Sequence, residues 1–355
     1  MTDIFQIAVL SGDGIGPDVV TEATRVLRRI AVDWTDVRLD LTQHPAGAAE
    51  YRASGNPLPA ATFEACRNAD AILLGAMGLP NVRWPDGREM VPQIDLRERL
   101  QLYCGLRPIY LFHPNDSPLK GYSAGDIDFL IVRESTEGLF SGRETASDLA
   151  ADAVVDMMRI TRAGSERLFR STFEQAAARR KHVTLVDKAN VLPSMAYFRS
   201  LFDSIAVRYP EIATDHCYVD AAALYLVQRP ESFDVIVTEN MFGDILSDLA
   251  AGLVGGMGMA PSADIGNDHA VFQPSHGSAP DIAGKGIANP VATILSAAMM
   301  LDWLNHEETR AGARRVVNAV RTVLQDGANR TPDVGGTMTT RQLGDTIIAA
   351  IDVTE

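Results

Sequence analysis

Two aspartates that stand four residues apart, Asp244 and Asp248, suggest metal chemistry. On a helix both carboxylates would lie on one face, where their charges repel each other unless a cation lies between them. Carboxylate oxygens are ligands that Mg²⁺ and Mn²⁺ prefer. A solvated acidic face is the alternative, but the neighbouring residues are too apolar for one: Phe242, Ile245, Leu246 and Leu249. The spacing therefore predicts a site for Mg²⁺ or Mn²⁺.

Three arginines, Arg97, Arg107 and Arg133, are candidate ligands of an anionic substrate. A guanidinium group binds a carboxylate through two parallel hydrogen bonds, so convergent arginines would indicate a di- or tricarboxylate. Spacing alone does not show convergence, and a surface salt bridge is the alternative for each arginine taken by itself.

Two glycine-containing segments could contact a cofactor through their backbone. Glycines at positions 12, 14 and 16 follow an apolar run and allow a ligand to approach closely. The third glycine comes one residue too early for the GxGxxG fingerprint, so a Rossmann nucleotide site is not supported. The small residues of 276–290 could wrap a nucleotide. A structural turn and an ordinary surface loop are the respective alternatives.

Short apolar runs that alternate with amphipathic segments must position these residues. They predict strands at 7–10, 71–75, 129–132, 183–186 and 235–237, with a helix at 18–30. This alternation is typical of an α/β fold with a largely parallel sheet. Polar residues follow three of the runs: Arg133 and Glu134, Asp187 and Lys188, Glu239 and Asn240. Because ligands bind beyond the carboxyl ends of such strands, the pattern predicts one shared cleft, with exposed strand ends as the alternative.

Composition limits the class of protein and its partners. A chain of 355 residues predicts two domains, since a domain spans roughly 100–200 residues. The net charge of −14 argues against nucleic acid and anionic membranes as partners. Three scattered cysteines indicate reduced thiols. No apolar run reaches the roughly 18 residues of a membrane span, and the first residues do not resemble a signal peptide, so we expect a cytoplasmic protein.

Nine segments, in order along the chain, resemble the β-decarboxylating dehydrogenases of 2-hydroxy acids, which act on 3-isopropylmalate, isocitrate, homoisocitrate, tartrate or D-malate. They are GDGIGP at 12–17, LRERL at 96–100, GLRP at 105–108, RESTEG at 133–138, DKANVL at 187–192, VDAAALYLV at 219–227, ENMFGDILSD at 239–248, HGSAPDIAGKGIANP at 276–290 and TPDVGG at 331–336. A phosphotransferase is disfavoured because the chain lacks a P-loop. A non-catalytic regulatory subunit is disfavoured because the lysine and aspartates of the family are present.

The resemblance implies an α/β, two-domain isopropylmalate dehydrogenase-like fold with a mixed, largely parallel sheet, not a Rossmann fold. Residues 1–102 and 255–355 would form a discontinuous cofactor-binding domain. Residues 103–254 would form an inserted domain with the dimer interface and the metal and catalytic residues. The resemblance also implies a homodimer with shared active sites, in which Lys188 and Asp220 enter the site from the neighbouring chain.

The implied reaction is oxidation of a malate-like dicarboxylate, followed by loss of the β-carboxylate as CO₂. Lys188 would accept the proton of the C2 hydroxyl, and Asp220 would serve both catalysis and metal binding. The substrate ligands would be Arg97, Arg107 and Arg133, and the metal ligands Asp220, Asp244 and Asp248.

The resemblance implies NAD as the cofactor. Asp281 matches an aspartate that accepts hydrogen bonds from the adenosine ribose, and its charge would repel the 2′-phosphate of NADP. The other implied cofactor contacts are Ile15, His276, Gly277, Ser278, Ala279 and Asn289.

The chain departs from the family pattern at the substrate site. Phe140 stands where the family has a tyrosine that reprotonates the enolate, so Ser141 or a water would supply the proton, or oxidation would proceed without obligatory decarboxylation, as in a tartrate-type enzyme. Gln93 and Ile94 stand where isopropylmalate enzymes have leucines. An unpaired buried amide is costly, which favours a short or polar γ-substituent over isopropyl. Tartrate, D-malate, alkylmalates and 3-isopropylmalate itself remain the alternatives, and segment 78–89 is a candidate specificity lid.

Overall fold

One ten-stranded sheet forms the centre of the computed structural model, which describes residues 2–143 and 152–352. The strands are β1 (Asp3–Gly12), β2 (Val37–Gln43), β3 (Ala71–Ala76), β4 (Cys104–Tyr110), β5 (Asp128–Glu134), β6 (His182–Asp187), β7 (Ala213–Tyr218), β8 (Val235–Thr238), β9 (Pro261–Ile265) and β10 (Ala270–Pro274). Their order across the sheet is β2-β1-β3-β10-β9-β4-β5-β8-β6-β7.

Helices cover both faces of the sheet. They are α1 (Gly16–Ile30), α2 (Ala48–Ser54), α3 (Ala60–Asn68), α4 (Pro92–Arg99), α5 (Arg162–Ala177), α6 (Pro193–Ala206), α7 (Val219–Gln228), α8 (Asn240–Gly252), α9 (Val291–Trp303), α10 (Glu307–Gln325) and α11 (Thr340–Ile351). The predicted helix at 18–30 is confirmed as α1, which has a proline in its first turn and basic residues in its last turn, as helix termini favour. Within the described residues, no helix has the length and apolar composition needed to span a membrane.

The sheet is mixed and largely parallel, as predicted. The three antiparallel pairs, β10–β9, β9–β4 and β4–β5, lie in the middle of the sheet. The pairs that flank them on both sides are parallel. All five predicted strands are confirmed, within β1, β3, β5, β6 and β8.

Alternate residues of the central strands pack on opposite helix layers, which explains their continuous apolar runs. In β1, Ile7 and Val9 pack against α1, whereas Ala8 and Leu10 face the layer that contains α3 and α4. In β5, Val132 packs in the same cluster as Ile7 and Val9, whereas Ile131 packs against α7 and α8 on the opposite face. A strand that is covered on both faces has no polar side, so it reads as an unbroken apolar run.

The pairing of β9 with β4 divides the sheet into two halves. The strands on one side of this pair come from residues 1–102 and 255–355, and those on the other side come from residues 103–254. The predicted boundary between a discontinuous and an inserted domain coincides with this pair, and the two-domain division stays a prediction.

Candidate active site

A cavity of about 160 Å³ at the carboxyl ends of β3, β5 and β10 brings together eight of the seventeen candidate site residues singled out from the sequence. The predicted residues that line it are Gln93, Arg97, Arg107, Arg133, Asp244, Asp248, His276 and Gly277. The arginines therefore converge on one site that also holds two carboxylates. The alternative of three separate surface salt bridges is excluded, because Arg107 and Arg133 are buried, the Arg97 side chain is only 12% exposed, and all three line one cavity.

Arg133 lies at the end of β5 and is held by the first turn of α8. The Oδ1 atom of Asn240 accepts hydrogen bonds from its Nε at 3.0 Å and from a terminal nitrogen at 2.7 Å, and Asp244 forms an ion pair with it. Gly243 leaves room for this arrangement, because a Cβ atom there would lie 2.7 Å from Arg133 Cγ. Burial and the nearby charge of Arg97 lower the pKa of Arg133 to about 10, so the guanidinium remains charged at neutral pH.

Glu239 explains why α8 begins where it does. Its carboxylate accepts the backbone N–H groups of Met241 at 3.1 Å and Phe242 at 2.7 Å, which caps the helix. The Asn240 amide also donates to the Glu137 carbonyl at 2.9 Å, which joins α8 to the segment after β5. Glu239 and Asn240 therefore both hold the start of α8 in place.

Arg97 and Arg107 are joined by a carboxylate that sequence reasoning missed. Asp264 on β9 accepts from Arg97 Nε at 2.9 Å and from a terminal nitrogen of Arg107 at 3.2 Å. Its side chain is fully buried. The only available signal was that clustered buried arginines require a counter-charge, and the sequence does not show which of the many aspartates lies near them.

Asp244 and Asp248 fit the predicted metal site. They lie one turn apart on α8 and line the same cavity. Burial raises the pKa of Asp248, and the negative charge of Asp244 raises it further. A divalent cation would relieve this repulsion, and carboxylate oxygens suit Mg²⁺ or Mn²⁺. Within residues 2–143 and 152–352, no cluster of three acidic, histidine or cysteine ligands is assembled.

Lys188 and Asp220 lie together, but outside this cavity. Lys188 Nζ donates to Asp220 Oδ1 at 2.5 Å, and this hydrogen bond lowers the pKa of Asp220. The Asp220 side chain is 70% exposed at the first turn of α7. An ion pair between the buried Asp187 and the partly exposed Arg199, at 2.6 Å, supports the end of β6 just before Lys188. The structure thus pairs the candidate base with the candidate third metal ligand on the surface of the chain.

The two segments proposed to bind the cofactor contact each other. The Ile15 amide donates to the Ser278 carbonyl at 2.8 Å. Gly14 has a φ of +59°, and a Cβ atom there would lie 1.8 Å from that carbonyl oxygen, so only glycine fits. Ala279 also adopts a positive φ, of +36°, and Asp281 is exposed in the turn that follows. The backbone of both segments is therefore tightly constrained.

Asn289 is engaged in structural contacts. Its Oδ1 accepts the Val291 amide at 3.0 Å at the start of α9, and its amide donates to Asp333 at 3.1 Å. Its role as a cofactor contact stays a prediction.

Phe140 and Ser141 do not line the cavity that holds the arginines. The Phe140 ring centre lies 5.5 Å from the guanidinium carbon of Arg133 and borders a separate side cavity of about 430 Å³. That cavity is also lined by Trp84, Val91 and Ile94. The Ser141 hydroxyl donates to the Gly138 carbonyl at 2.9 Å and faces a third cavity. Ser141 is thus not placed where it would protonate an enolate held by the arginines.

Two atoms in the cavity have no hydrogen-bond partner among the residues that the structure describes. They are Gln93 Oε1 and His276 Nε2, both buried. Burial lowers the pKa of His276, and its Nδ1 lies 2.9 Å from the Gly277 carbonyl, so the neutral ring donates through Nδ1 and leaves Nε2 as an acceptor. Both atoms therefore require a donor from a ligand or from water.

Comparison with known proteins identifies the family to which these features belong. The chain matches the isocitrate/isopropylmalate dehydrogenase family over residues 6–347. The 3-isopropylmalate dehydrogenase of Moorella thermoacetica is 45% identical over 344 residues, covering 93% of each chain. That of Albidiferax ferrireducens is 42% identical over 364 residues, covering 98% of this chain and 100% of the relative.

Solved structures agree with the sequence comparison. The isocitrate dehydrogenase of Methylococcus capsulatus superposes with a TM-score of 0.87 at 40% identity, covering 98% of this chain and 99% of that chain. A β-decarboxylating dehydrogenase of Thermococcus kodakarensis gives a TM-score of 0.81 at 37% identity, with 98% and 96% covered. The chain therefore belongs to the isocitrate/isopropylmalate dehydrogenase family, and it is a decarboxylating dehydrogenase.

Proposed function

We propose that this enzyme uses NAD and Mg²⁺ or Mn²⁺ to oxidise and decarboxylate a malate-like 2-hydroxy dicarboxylic acid. The observation that carries the proposal is the convergence of three arginines, two of them buried, and two aspartates on one cavity. A cavity of about 160 Å³ suits a small diacid, and the guanidinium groups supply the paired donors that carboxylates require.

Hydrogen bonds within the chain orient Arg97 and Arg133 before the substrate binds. Arg97 gives Asp264 only its Nε–H, so both of its terminal nitrogens can bind a substrate carboxylate. Arg133 is held by Asn240 and pairs with Asp244. Pre-oriented side chains lose little conformational entropy on binding, which favours the bound geometry.

Asp244 and Asp248 would hold the divalent cation, and Lys188 would accept the proton of the C2 hydroxyl. A cation held there would supply Lewis-acid polarisation of the C2 oxygen, and a bound NAD would supply the hydride acceptor. Lys188 Nζ is engaged with the Asp220 carboxylate within its own chain, so this pair must separate before the amine can accept a proton from a substrate. Competition of a metal for the Asp220 carboxylate would separate it.

A homodimer with shared active sites would account for the position of Lys188 and Asp220 outside the cavity of their own chain. The surface near them is apolar: Leu224 is 52% exposed and Ile245 is 60% exposed. Ile245 was expected to be buried, and its exposure on α8, beside the aspartates, leaves an apolar surface for a partner to cover. We propose that a second copy covers it and inserts its Lys188 and Asp220.

Asp281 supports NAD over NADP. It is exposed at the turn beyond the 276–279 loop, where its carboxylate can accept hydrogen bonds from ribose hydroxyls. A 2′-phosphate at the same place would be repelled by it.

Two observations favour different substituents on the substrate. The unpaired Oε1 of Gln93 favours a hydroxyl-bearing diacid such as tartrate, because a hydroxyl would supply the missing donor. The side cavity next to Phe140, lined by four apolar and four charged residues, offers apolar surface to an alkyl group, and with the names of the closely similar relatives it favours the second candidate, 3-isopropylmalate. Gln93 and Ile94 on α4 face these two cavities, respectively.

A substrate panel tests the proposal. NADH and CO₂ would be measured together with D-malate, tartrate, 3-methylmalate and 3-isopropylmalate, with Mn²⁺ and either NAD or NADP. We expect NAD-dependent turnover of at least one acid, abolished by EDTA and restored by Mn²⁺. No reduction of NAD by any of these acids would refute the proposal, and a preference for 3-isopropylmalate would select the second candidate.

A further inference from the structure

We propose that Asp264 is a positioning residue that sets both the orientation and the net charge of the substrate arginines, so that the cavity selects dicarboxylates over tricarboxylates. The inference rests on the proposed function only in that the ligand is a carboxylate. Asp264 does not line the cavity, so it would act through the arginines and not by touching the substrate.

The position of Asp264 in the sheet lets it hold two arginines from different elements. It lies on β9, whose pairing with β4 places Asp264 opposite Gly105, two residues before Arg107. From there Oδ1 accepts from Arg107 at 3.2 Å and Oδ2 accepts from Arg97, on α4, at 2.9 Å. One carboxylate thus fixes the angle between two guanidinium groups.

Two neutral donors complete the surroundings of this carboxylate. Gln273 Nε2, on the neighbouring strand β10, donates to Oδ2 at 2.8 Å, and the Ser135 hydroxyl donates to Oδ1 at 3.2 Å. Burial by itself would raise the pKa of Asp264, but Arg107, Arg97 and Arg133 hold it well below its usual range. Asp264 is therefore ionised at neutral pH, and its charge is part of the site.

This charge changes what the cavity can bind. Arg97 and Arg107 carry two positive charges and Asp264 removes one, so the pair offers the ligand a net charge of +1. One carboxylate of a ligand is matched by this pair, and a second can lie on Arg133, whose charge Asp244 partly offsets. Among the described residues that line the cavity no further arginine is left for the additional carboxylate of a tricarboxylate. Loss of the Asp264 charge should therefore improve tricarboxylate binding relative to dicarboxylate binding.

The test compares direct binding of succinate and tricarballylate, which lack the reactive hydroxyl, so that it does not depend on turnover. Ligand-observed NMR or thermal-shift titration would give both dissociation constants for the wild type and for Asp264→Asn. We expect the ratio of the two constants to move by about tenfold towards tricarballylate, which corresponds to about 1.4 kcal/mol. An unchanged ratio in a folded variant would overturn the role of Asp264.

Two further variants separate positioning from stability. Asp264→Asn combined with Gln273→Glu returns one carboxylate to the same hydrogen-bonded pair, now on a residue that lines the cavity, and should restore the wild-type ratio. Asp116→Asn breaks another buried pair, with Arg330 at 2.7 and 3.0 Å, away from the cavity, and should lower the melting temperature without changing the ratio. The inference fails if the double variant does not recover the ratio, or if Asp116→Asn shifts it equally.

The outcomes also distinguish this inference from the proposed function. If the wild type binds neither acid, the carboxylate cavity itself is refuted, and both proposals fall. If the wild type binds both acids and Asp264→Asn leaves their ratio unchanged, only the assignment of Asp264 fails.

Discussion

Mixing two inactive variants should restore activity if each active site is built from two chains. Lys188→Ala removes the candidate base, and Asp244→Asn removes a candidate metal ligand. In one chain the first residue lies in an exposed pair with Asp220 and the second lines the arginine cavity. We expect each variant alone to be almost inactive but able to fold, because neither side chain is in the core.

The expected recovery follows from how the residues divide between chains. In a mixed dimer, one site receives an intact Lys188 from one chain and an intact Asp244 from the other, while the second site carries both substitutions. Random pairing of equal amounts makes half of the dimers mixed, and each has one working site of two. We therefore expect about a quarter of the wild-type activity from the unseparated mixture and about half from the purified mixed dimer, since a closed two-fold dimer contains two equivalent sites.

The assay is NADH formation by co-produced chains that carry different affinity tags, so that the mixed dimer can be purified. A matched control pairs Asp244→Asn with Arg97→Ala, because both residues line the cavity of the same chain and no mixed site would be intact. We expect no recovery there. Recovery in the control, or none with Lys188→Ala, would refute a site divided between chains in this way.

Three other predictions address single positions. Phe140→Tyr should change the ratio of CO₂ to NADH, because it restores a phenol near Arg133, and an unchanged ratio would count against any role of this position in protonation. Gly243→Ala should lower the free energy of unfolding by about 1–3 kcal/mol and raise KM, because the new Cβ atom would displace Arg133. Gly252→Ala is the control and should change neither quantity, because a Cβ atom there would meet no atom within 4 Å. Chemical denaturation measures the stability, and steady-state kinetics measure KM. Burial raises the pKa of Glu134 from its ordinary value of 4.5 to about 7, so the folded state binds its proton more tightly. The wild type should therefore lose stability relative to Glu134→Gln as the pH rises from 4.5 to about 7, and parallel curves for the two proteins would contradict this.

The strands that could be predicted are those with both faces buried. Residues 129–132 and 235–237 are apolar throughout because helices cover them on both sides. The edge strand β7 is mostly exposed and polar, so it produced no such run. Strand β4 was missed for a different reason, since it contains Arg107 and a proline within a sheet. Its register is set by the antiparallel pairs with β5 and β9, which are contacts between distant parts of the chain.

The candidate site likewise contains features that the local sequence predicts and features that depend on contacts between distant residues. Asp244 and Asp248 were predictable because four residues make one helical turn, which is a local property. The three arginines were predictable only as candidates, since their convergence depends on how β4, β5 and α4 pack together. Asp264 could not be found, because nothing within its own segment distinguishes it from an exposed aspartate. The separation of Lys188 from the cavity likewise depends on how whole strands and helices are placed, so it could not be predicted from the sequence.

The sequence by itself therefore determined the fold class, the family and the types of residue that do the chemistry. These depend on local periodicity, on turn geometry and on an ordered set of motifs, all of which are properties of neighbouring residues. Only the tertiary structure decided which side chains share a cavity, which carboxylate neutralises the arginines and which cavity each residue of α4 faces. Those features arise from contacts between residues more than 100 positions apart, such as Arg107 and Asp264, and electrostatic interactions depend on distance in space and not along the chain.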